Sequence, residues 1–227
     1  MTPKDPKNLK VLFLRKKDNE YAQRAEDYIR SHFPHSLIFS GSRKDKLPSD
    51  VLNWKGDLFI SFISSWIYPQ SLLSNAAYAA INFHPGSPEY PGTGCTNFAV
   101  YSGEKEYGIT CHHMTATVDS GSIIQVKRFP VKDADTVYSI TQHCYQLIEE
   151  SFYEMMELIL QGKQLPVTNE TWKRKPFTRK QLDELCHIRP DMSEAEIEKR
   201  IKATTYKTQW AFTKIGNHIF KLQADSK

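Results

Sequence analysis

INFHPGSPEYPGTGCTNFA, running from Ile81 to Ala99, and GITCHHMTATVDSG, running from Gly108 to Gly121, decide how this chain is built. Asn82 and His84 sit two apart in a strand-like run, Ala79 to His84, and period two puts both side chains on one face. Pro85 and Gly86 stop that run at once, so His84 lies at its C-terminal tip. In an open α/β sheet, ligands and catalytic groups collect at the C-terminal strand ends. A second strand, Tyr107 to Thr117, leads into Val118-Asp119-Ser120-Gly121, a turn signal carrying an acid. An amide, an imidazole and a carboxylate can therefore meet at one rim. Taken singly, the three also suit a turn cap, a packed imidazole and an ordinary turn aspartate.

Working outward, Lys10 to Leu14 reads as a buried first strand, and Asp18 to Phe33 as a helix with Tyr21, Ala25, Tyr28 and Ile29 on one face. Pro34 stops the helix, and Leu37 to Phe39 forms a second strand. Gly41 to Pro48 is a basic, polar loop. Asp57 to Ile63 is a near-continuous apolar strand of the kind covered on both faces, and a short helix follows Pro69. Repeated β-α-β order predicts a parallel sheet with right-handed crossovers. The first strand runs into Arg15-Lys16-Lys17-Asp18 rather than G-x-G-x-x-G, which argues against a dinucleotide site.

Downstream, Thr96 to Tyr101 gives one or two helical turns. Tyr107 to Thr117 and Ile123 to Val131 add an antiparallel edge, and Thr136 to Leu160 is a long helix closed by Gly162. From Leu165 the composition shifts to Pro, Lys and Arg. Trp172 to Pro176 reads as extended, and Lys173-Arg174-Lys175 as a solvated run. Thr178 and Ser193 are N-caps of two short helices, and Gln209 to Phe212 and His218 to Leu222 flank the hairpin signal Gly216-Asn217. The expected division is a main domain over 1–163 and a small C-terminal segment over 164–227.

Composition narrows the function classes. Among 227 residues, 30 Lys+Arg against 26 Asp+Glu give a formal charge of +4, mild enough to argue against a dedicated nucleic-acid binder. Cys95, Cys111, Cys144 and Cys186 form no C-x-x-C pair, so neither a disulfide scaffold nor a zinc framework is expected. A metal hydrolase built on Cys95, Cys111, His112, His113 and Asp119 is disfavoured, because adjacent strand residues face opposite ways. The polar leader MTPKDPKNLK lacks a signal-peptide core, and no apolar run suffices to span a bilayer. The expectation is a cytoplasmic protein with no metal, no membrane and no nucleic-acid partner.

The order N-x-H-P, P-G-x-G, G-I-T-x-H-H-M and D-S-G-x-I-I resembles the formyltransferases that use 10-formyltetrahydrofolate. These include glycinamide ribonucleotide formyltransferase, the initiator methionyl-tRNA enzyme and the sugar N-formyltransferases. The wording HPGSPEYPGTGCTNFAVYSGEKEYGITCHHM is most similar to the sugar branch, where the other branches read HPS followed by leucines. The resemblance implies a Rossmann-like formyltransferase fold: an α/β, mostly parallel sheet with antiparallel edge strands and a small C-terminal helical and hairpin piece. It implies formyl transfer to the amino group of a dTDP- or UDP-linked amino sugar, giving an N-formylated sugar for glycan synthesis. The tRNA enzyme's additional β-barrel domain has no counterpart in the expected layout. Alternatives are phosphoribosylglycinamide formyltransferase and a catalytically idle folate- or nucleotide-binding module.

The family triad falls on Asn82, His84 and Asp119. An amide can donate to the tetrahedral oxyanion, an imidazole can take the amine proton or polarise, and a carboxylate can orient the imidazole. His84 is assigned as the base, with electrophilic assistance equally compatible. The resemblance places 10-formyltetrahydrofolate against Ser64, Ser65, Trp66 and Ile67, and against Met114, Thr115 and the residues up to Asp119. The Ser64-Ser65-Trp66 wording departs from the Tyr-Gly loops common in relatives, and Trp66 suits packing as well as stacking. Substrate candidates are Arg15 and Lys16 for phosphate, Pro91, Gly92, Thr93 and Gly94 for close backbone approach, and Tyr206 and Trp210 for stacking on a nucleobase. Solvated-loop, turn and core readings stand beside them. The hairpin's alternating apolar residues suggest a homodimer.

Overall fold

Alternation along the first strand sets the layers. In the computed structural model, which describes residues 8–208 and 210–223, Val11–Lys16 (β1) sends Val11 and Phe13 into one core and Leu12 and Leu14 into another. The polar leader before Asn8 and the expected hairpin start at Gln209 lie outside the described residues. Helix α1 (Glu20–His32) is capped by Asn19, whose Oδ1 accepts from the Ala22 N–H at 2.9 Å. Strand β2 (Ser36–Gly41), a helical turn that the sequence did not announce (α2, Ser49–Leu52), β3 (Gly56–Phe62), α3 (Gln70–Leu73) and β4 (Ala76–His84) follow. Then come α4 (Cys95–Ser102), β5 (Glu106–His113), β6 (Ile123–Pro130) and the long α5 (Val137–Leu160).

The sheet order is β2-β1-β3-β4-β5-β6; the first four strands are parallel, β5 is antiparallel to β4, and β6 is antiparallel to β5. This is the expected mostly parallel sheet with an antiparallel edge. Helices α1 and α5 cover one face; α2 and α3 cover the other. Burial on both faces accounts for the apolar run of β3, where Leu58, Ile60 and Phe62 face one core and Phe59 the other. The order reverses between β1 and β3, so the crevice above their C-terminal ends is where an α/β sheet receives a ligand.

Two boundaries differ from expectation. Strand β5 stops at His113 instead of Thr117, because Thr115 and Ser120 bond each other at 2.7 Å and both reach the Thr117 carbonyl, closing a local turn. The hairpin strands are β7 (Phe212–Ile215) and β8 (His218–Lys221), the first displaced downstream so that Gly216 at φ 60° occupies the turn.

Helices α6 (Arg179–Cys186) and α7 (Glu194–Thr204) start at Thr178 and Ser193 as expected. They do not form a core of their own. Phe177, Leu182, Leu185, Cys186 and Ala203 join the same cluster as α1 and α5, and Phe177 stacks on Phe98 with ring centroids 3.8 Å apart. Arg174 is exposed as expected, with its guanidinium 3.4 Å over the Phe177 ring. Among the described residues, no helix is long and apolar enough to cross a membrane.

Candidate active site

The rim at the C-terminal strand ends is held in uncommon backbone geometry. Asp18 after β1, Ile63 after β3 and Asp119 beyond β5 have φ of 52°, 54° and 43°. Left-handed backbone costs a β-branched residue such as Ile63 about 1–3 kcal/mol, and persists only where surrounding contacts over-determine it. Ile63 and Asp119 both line one cleft of about 510 Å3.

Asn82, His84 and Asp119 meet in that cleft, joined by a fourth residue. His84 Nδ1 stands 3.2 Å from Asp119 Oδ2, and His112 Nε2 stands 3.2 Å from Asp119 Oδ1. Asn82 Nδ2 lies 3.1 Å from the same His112 nitrogen. The backbone N–H of Gly92 donates to Asp119 Oδ2 at 2.7 Å. Burial alone would push the Asp119 carboxyl up. The His84 charge, the His112 bond and the Gly92 amide more than offset it and hold the group well below the usual carboxylate range. Asp119 is therefore an anion at neutral pH.

Hydrogen-bond accounting bears on His84. Its Nε2 faces the Tyr90 carbonyl at 3.0 Å, an acceptor only, while Nδ1 faces the Asp119 carboxylate. A neutral ring serves one of these oxygens; a protonated ring serves both. The arrangement suits His84 as a donor better than as the base.

Local sequence explains the tight fit. Strands β4 and β5 pair Asn82 with His112, so the antiparallel register puts the two side by side. Gly92, at φ 89°, bridges Phe177; an added Cβ would lie 2.4 Å from the Phe177 carbonyl oxygen. The 91–94 turn is thereby clamped by the C-terminal segment, with Thr93 N–H donating to Phe177 O at 2.9 Å. From that segment Trp172 meets His112 edge-on at 5.0 Å and His84 at 6.0 Å, its Nε1 donating to the Gly121 carbonyl at 2.8 Å.

The cleft gathers most of the remaining candidates. Ser64, Ser65, Trp66, Ile67, Met114 and Thr115 all line it, as do Lys16, Gly92, Thr93 and Gly94. Trp66 also packs: its ring covers Gly41, and its Nε1 donates to the Asp45 carbonyl at 2.9 Å. Tyr68 closes the back, its hydroxyl donating to Ser64 at 2.8 Å while burial pushes its pKa up to about 12. Lys16 bonds the Tyr145 hydroxyl at 2.9 Å, and burial lowers the pKa of its amine.

Four candidates do not line this cleft. Arg15 is turned back into the fold, where its guanidinium pairs with Glu26 and donates to Gln23 at 2.6 Å, so its charge is spent on α1 rather than on phosphate. Pro91 is buried behind the turn, its carbonyl accepting from Phe177 N–H at 2.8 Å. Tyr206 lines a separate concavity, and Trp210 packs beside it with ring centroids 6.2 Å apart. Sequence reasoning missed His112 and Trp172 as site residues. The β4–β5 register would have found the first; nothing local marks the second.

The family model described as formyl transferase matches residues 13–156. A methionyl-tRNA formyltransferase from Listeria welshimeri is 28% identical over 116 residues, which cover 51% of this chain and 37% of that protein. The chain thus spans well under half the length of that relative. A sugar N-formyltransferase structure from a Shewanella species superposes with a TM-score of 0.72 at 17% identity, covering 96% of this chain and 98% of its own. An N-formyltransferase from Helicobacter canadensis, solved with folinic acid and dTDP-3-aminofucose, gives 0.70 at 19% identity, covering 92% and 85%. At these identities the likeness establishes the fold.

Proposed function

The chain belongs to the formyl transferase family, and from that premise we propose that it moves the formyl group of 10-formyltetrahydrofolate onto the amino group of a nucleotide-linked amino sugar. The observation that carries formyl transfer is the bonded set of Asn82, His84, His112 and Asp119 facing an open cleft at the strand tips. The sugar branch is supported by the C-terminal segment. The family model stops at residue 156, whereas the likeness to sugar N-formyltransferases extends over 96% of the chain and so takes in α6, α7 and much beyond.

In this mechanism the acceptor amine attacks the formyl carbon, and the carbonyl oxygen becomes the oxyanion of a tetrahedral intermediate. Asn82 has two amide hydrogens, and at most one of them can meet the His112 nitrogen, so at least one is left for that oxyanion. His84 stands beside it, its ring held by the Tyr90 carbonyl and the Asp119 carboxylate. Asp119, ionised and buried, stabilises by its charge the ammonium that forms as the amine attacks, and that proton passes on to N10 directly or through a water. The bond from the formyl carbon to the protonated N10 then breaks, and the products are a formamide and tetrahydrofolate.

The folate lies against Ser64 to Ile67 and Met114 to Thr117, and the sugar approaches over the Gly92–Gly94 turn. The product serves glycan synthesis in the cytoplasm, and two copies associate through the C-terminal hairpin. The test is tetrahydrofolate release from 10-formyltetrahydrofolate with dTDP- and UDP-amino sugars, glycinamide ribonucleotide and methionyl-tRNA offered side by side. Turnover with a nucleotide amino sugar is expected. Turnover only with glycinamide ribonucleotide or tRNA overturns the acceptor and keeps the family chemistry; folate binding without any turnover overturns the enzyme.

A further inference from the structure

Trp172 comes from the C-terminal segment, beyond the residues the family model matches, yet it lies against both imidazoles of the site. Its ring stands 5.0 Å from that of His112 at 86°, and 6.0 Å from that of His84 at 72°. Both imidazoles line the cleft and Trp172 does not, so the indole backs them rather than meeting a substrate. The segment carrying it is fastened on either side. Glu170 pairs with Arg128 of β6 at 3.1 Å. Lys173 N–H donates to the Pro88 carbonyl at 3.0 Å, and Phe177 N–H to the Pro91 carbonyl at 2.8 Å.

Two bonded paths lead from this segment to Asp119. Along the first, Lys173 and Phe177 pin the loop after β4, whose Gly92 amide donates to Asp119 Oδ2 at 2.7 Å. Along the second, Trp172 Nε1 donates at 2.8 Å to the carbonyl of Gly121, two residues past Asp119. Gly121 in turn presses on the end of β5, where an added Cβ would lie 1.8 Å from the His113 carbonyl oxygen. That same carbonyl accepts from His112 Nδ1 at 2.8 Å, which turns Nε2 toward Asp119 and Asn82. Asp119 holds a left-handed φ of 43°, a conformation that persists only where surrounding contacts over-determine it. The Trp172 bond at Gly121 is one of those contacts.

We propose that Trp172 is a positioning residue for formyl transfer: its N–H holds the Asp119 turn, and its ring keeps water off His84 and His112 on the side away from the cleft. Excluding water there strengthens the contacts of both imidazoles with the Asp119 carboxylate. The C-terminal segment is then part of the active site rather than an appendage to it. The inference rests on the formyl-transfer reading above, and adds to it a residue outside the bonded set on which that set depends.

Two variants of the full chain test it. Trp172→Phe keeps an aromatic ring and removes the Nε1 donor, whereas Trp172→Leu removes the ring as well. Steady-state kinetics with 10-formyltetrahydrofolate and the active acceptor is expected to show kcat lowered about tenfold or more in Trp172→Leu and by less in Trp172→Phe. Both KM values should stay within about threefold of wild type, because the indole touches neither substrate. Proton magnetic resonance supplies the second readout: the imidazole N–H protons of His84 and His112 should exchange with water at least about tenfold faster in Trp172→Leu. Melting temperature and 5-formyltetrahydrofolate binding check that each variant is folded, and Trp172→Phe decides if Trp172→Leu is not. An unchanged kcat in the folded variants overturns the proposal. So does a raised KM at unchanged kcat, or a lowered kcat with unchanged N–H exchange. If wild type turns over no acceptor, the formyl-transfer reading fails by itself, and the exchange rates alone decide whether Trp172 shields the imidazoles.

Discussion

The strand-tip rim and the C-terminal hairpin solve opposite problems. At the rim, polar groups are nearly sealed: His84 is 5% exposed and Asp119 7%, and every bond that fixes them comes from this chain. On the hairpin, apolar groups are open: Ile215 is 63% exposed, Ile219 61% and Phe220 52%. Among the described residues the hairpin packs only at its base, where Phe212 lies against the core and stacks on His187 at 5.1 Å. A two-stranded hairpin is marginal by itself, and a cluster of exposed apolar residues marks a surface that meets another. The rim's polar groups are bonded among themselves; the hairpin's apolar groups stand open, which is the ground for the proposed contact with a second copy.

The sharpest way to break that contrast is at the rim. Asn82→Ala, His84→Ala and Asp119→Ala are each expected to lower kcat/KM at least about a hundredfold, the scale of losing an oxyanion donor or an acid-base group. Steady-state kinetics with 10-formyltetrahydrofolate and the active acceptor measures it. A His84→Ala enzyme as fast as wild type removes the proposed mechanism.

How much of this was legible in the sequence follows from the range of the interactions. Period two and the Pro85-Gly86 stop are local, and they put Asn82 and His84 on one face of a strand tip. The β-α-β order is nearly local, and it gives the parallel sheet. His112 needs a register between two strands thirty residues apart, which no single stretch states. Trp172 reaches the imidazoles from a segment the family model does not cover. Arg15 misled for the same reason in reverse: its charge looked free until α1 supplied Glu26. Local chemistry was readable; chemistry assembled across elements was not.

The hairpin can be tested without touching the rim. Two copies joined by a self-complementary apolar patch form a C2 dimer, so wild type is expected to sediment as a dimer at micromolar concentration. Phe220→Asp, which buries a charge at that junction, shifts it to monomer while turnover stays within a few fold. A wild-type monomer under those conditions ends the homodimer proposal. A monomeric Phe220→Asp that loses most of its turnover means the two regions are coupled, and the contrast between them is too sharp.

The smallest effect lies in how the rim responds to acid. The Asp119 carboxyl feels burial first, which raises its pKa, and then the His84 and His112 imidazoles and the Gly92 amide, which together lower it further than burial raises it. Its folded pKa therefore lies below the unfolded value of about 3.9. A carboxylate shifted in that direction adds stability that is present above the unfolded pKa and lost as pH falls through the folded one. Asp119→Asn keeps the shape but cannot titrate. Its melting temperature should fall short of wild type by the widest margin near neutral pH, and the gap should narrow once pH drops below about 4. Thermal unfolding of the two proteins across pH 3 to 7, each at one protein concentration, reads that gap directly while the other acids of the chain cancel. A gap that stays constant would mean that the carboxylate's charge does not help hold the rim together, and that shape alone does so.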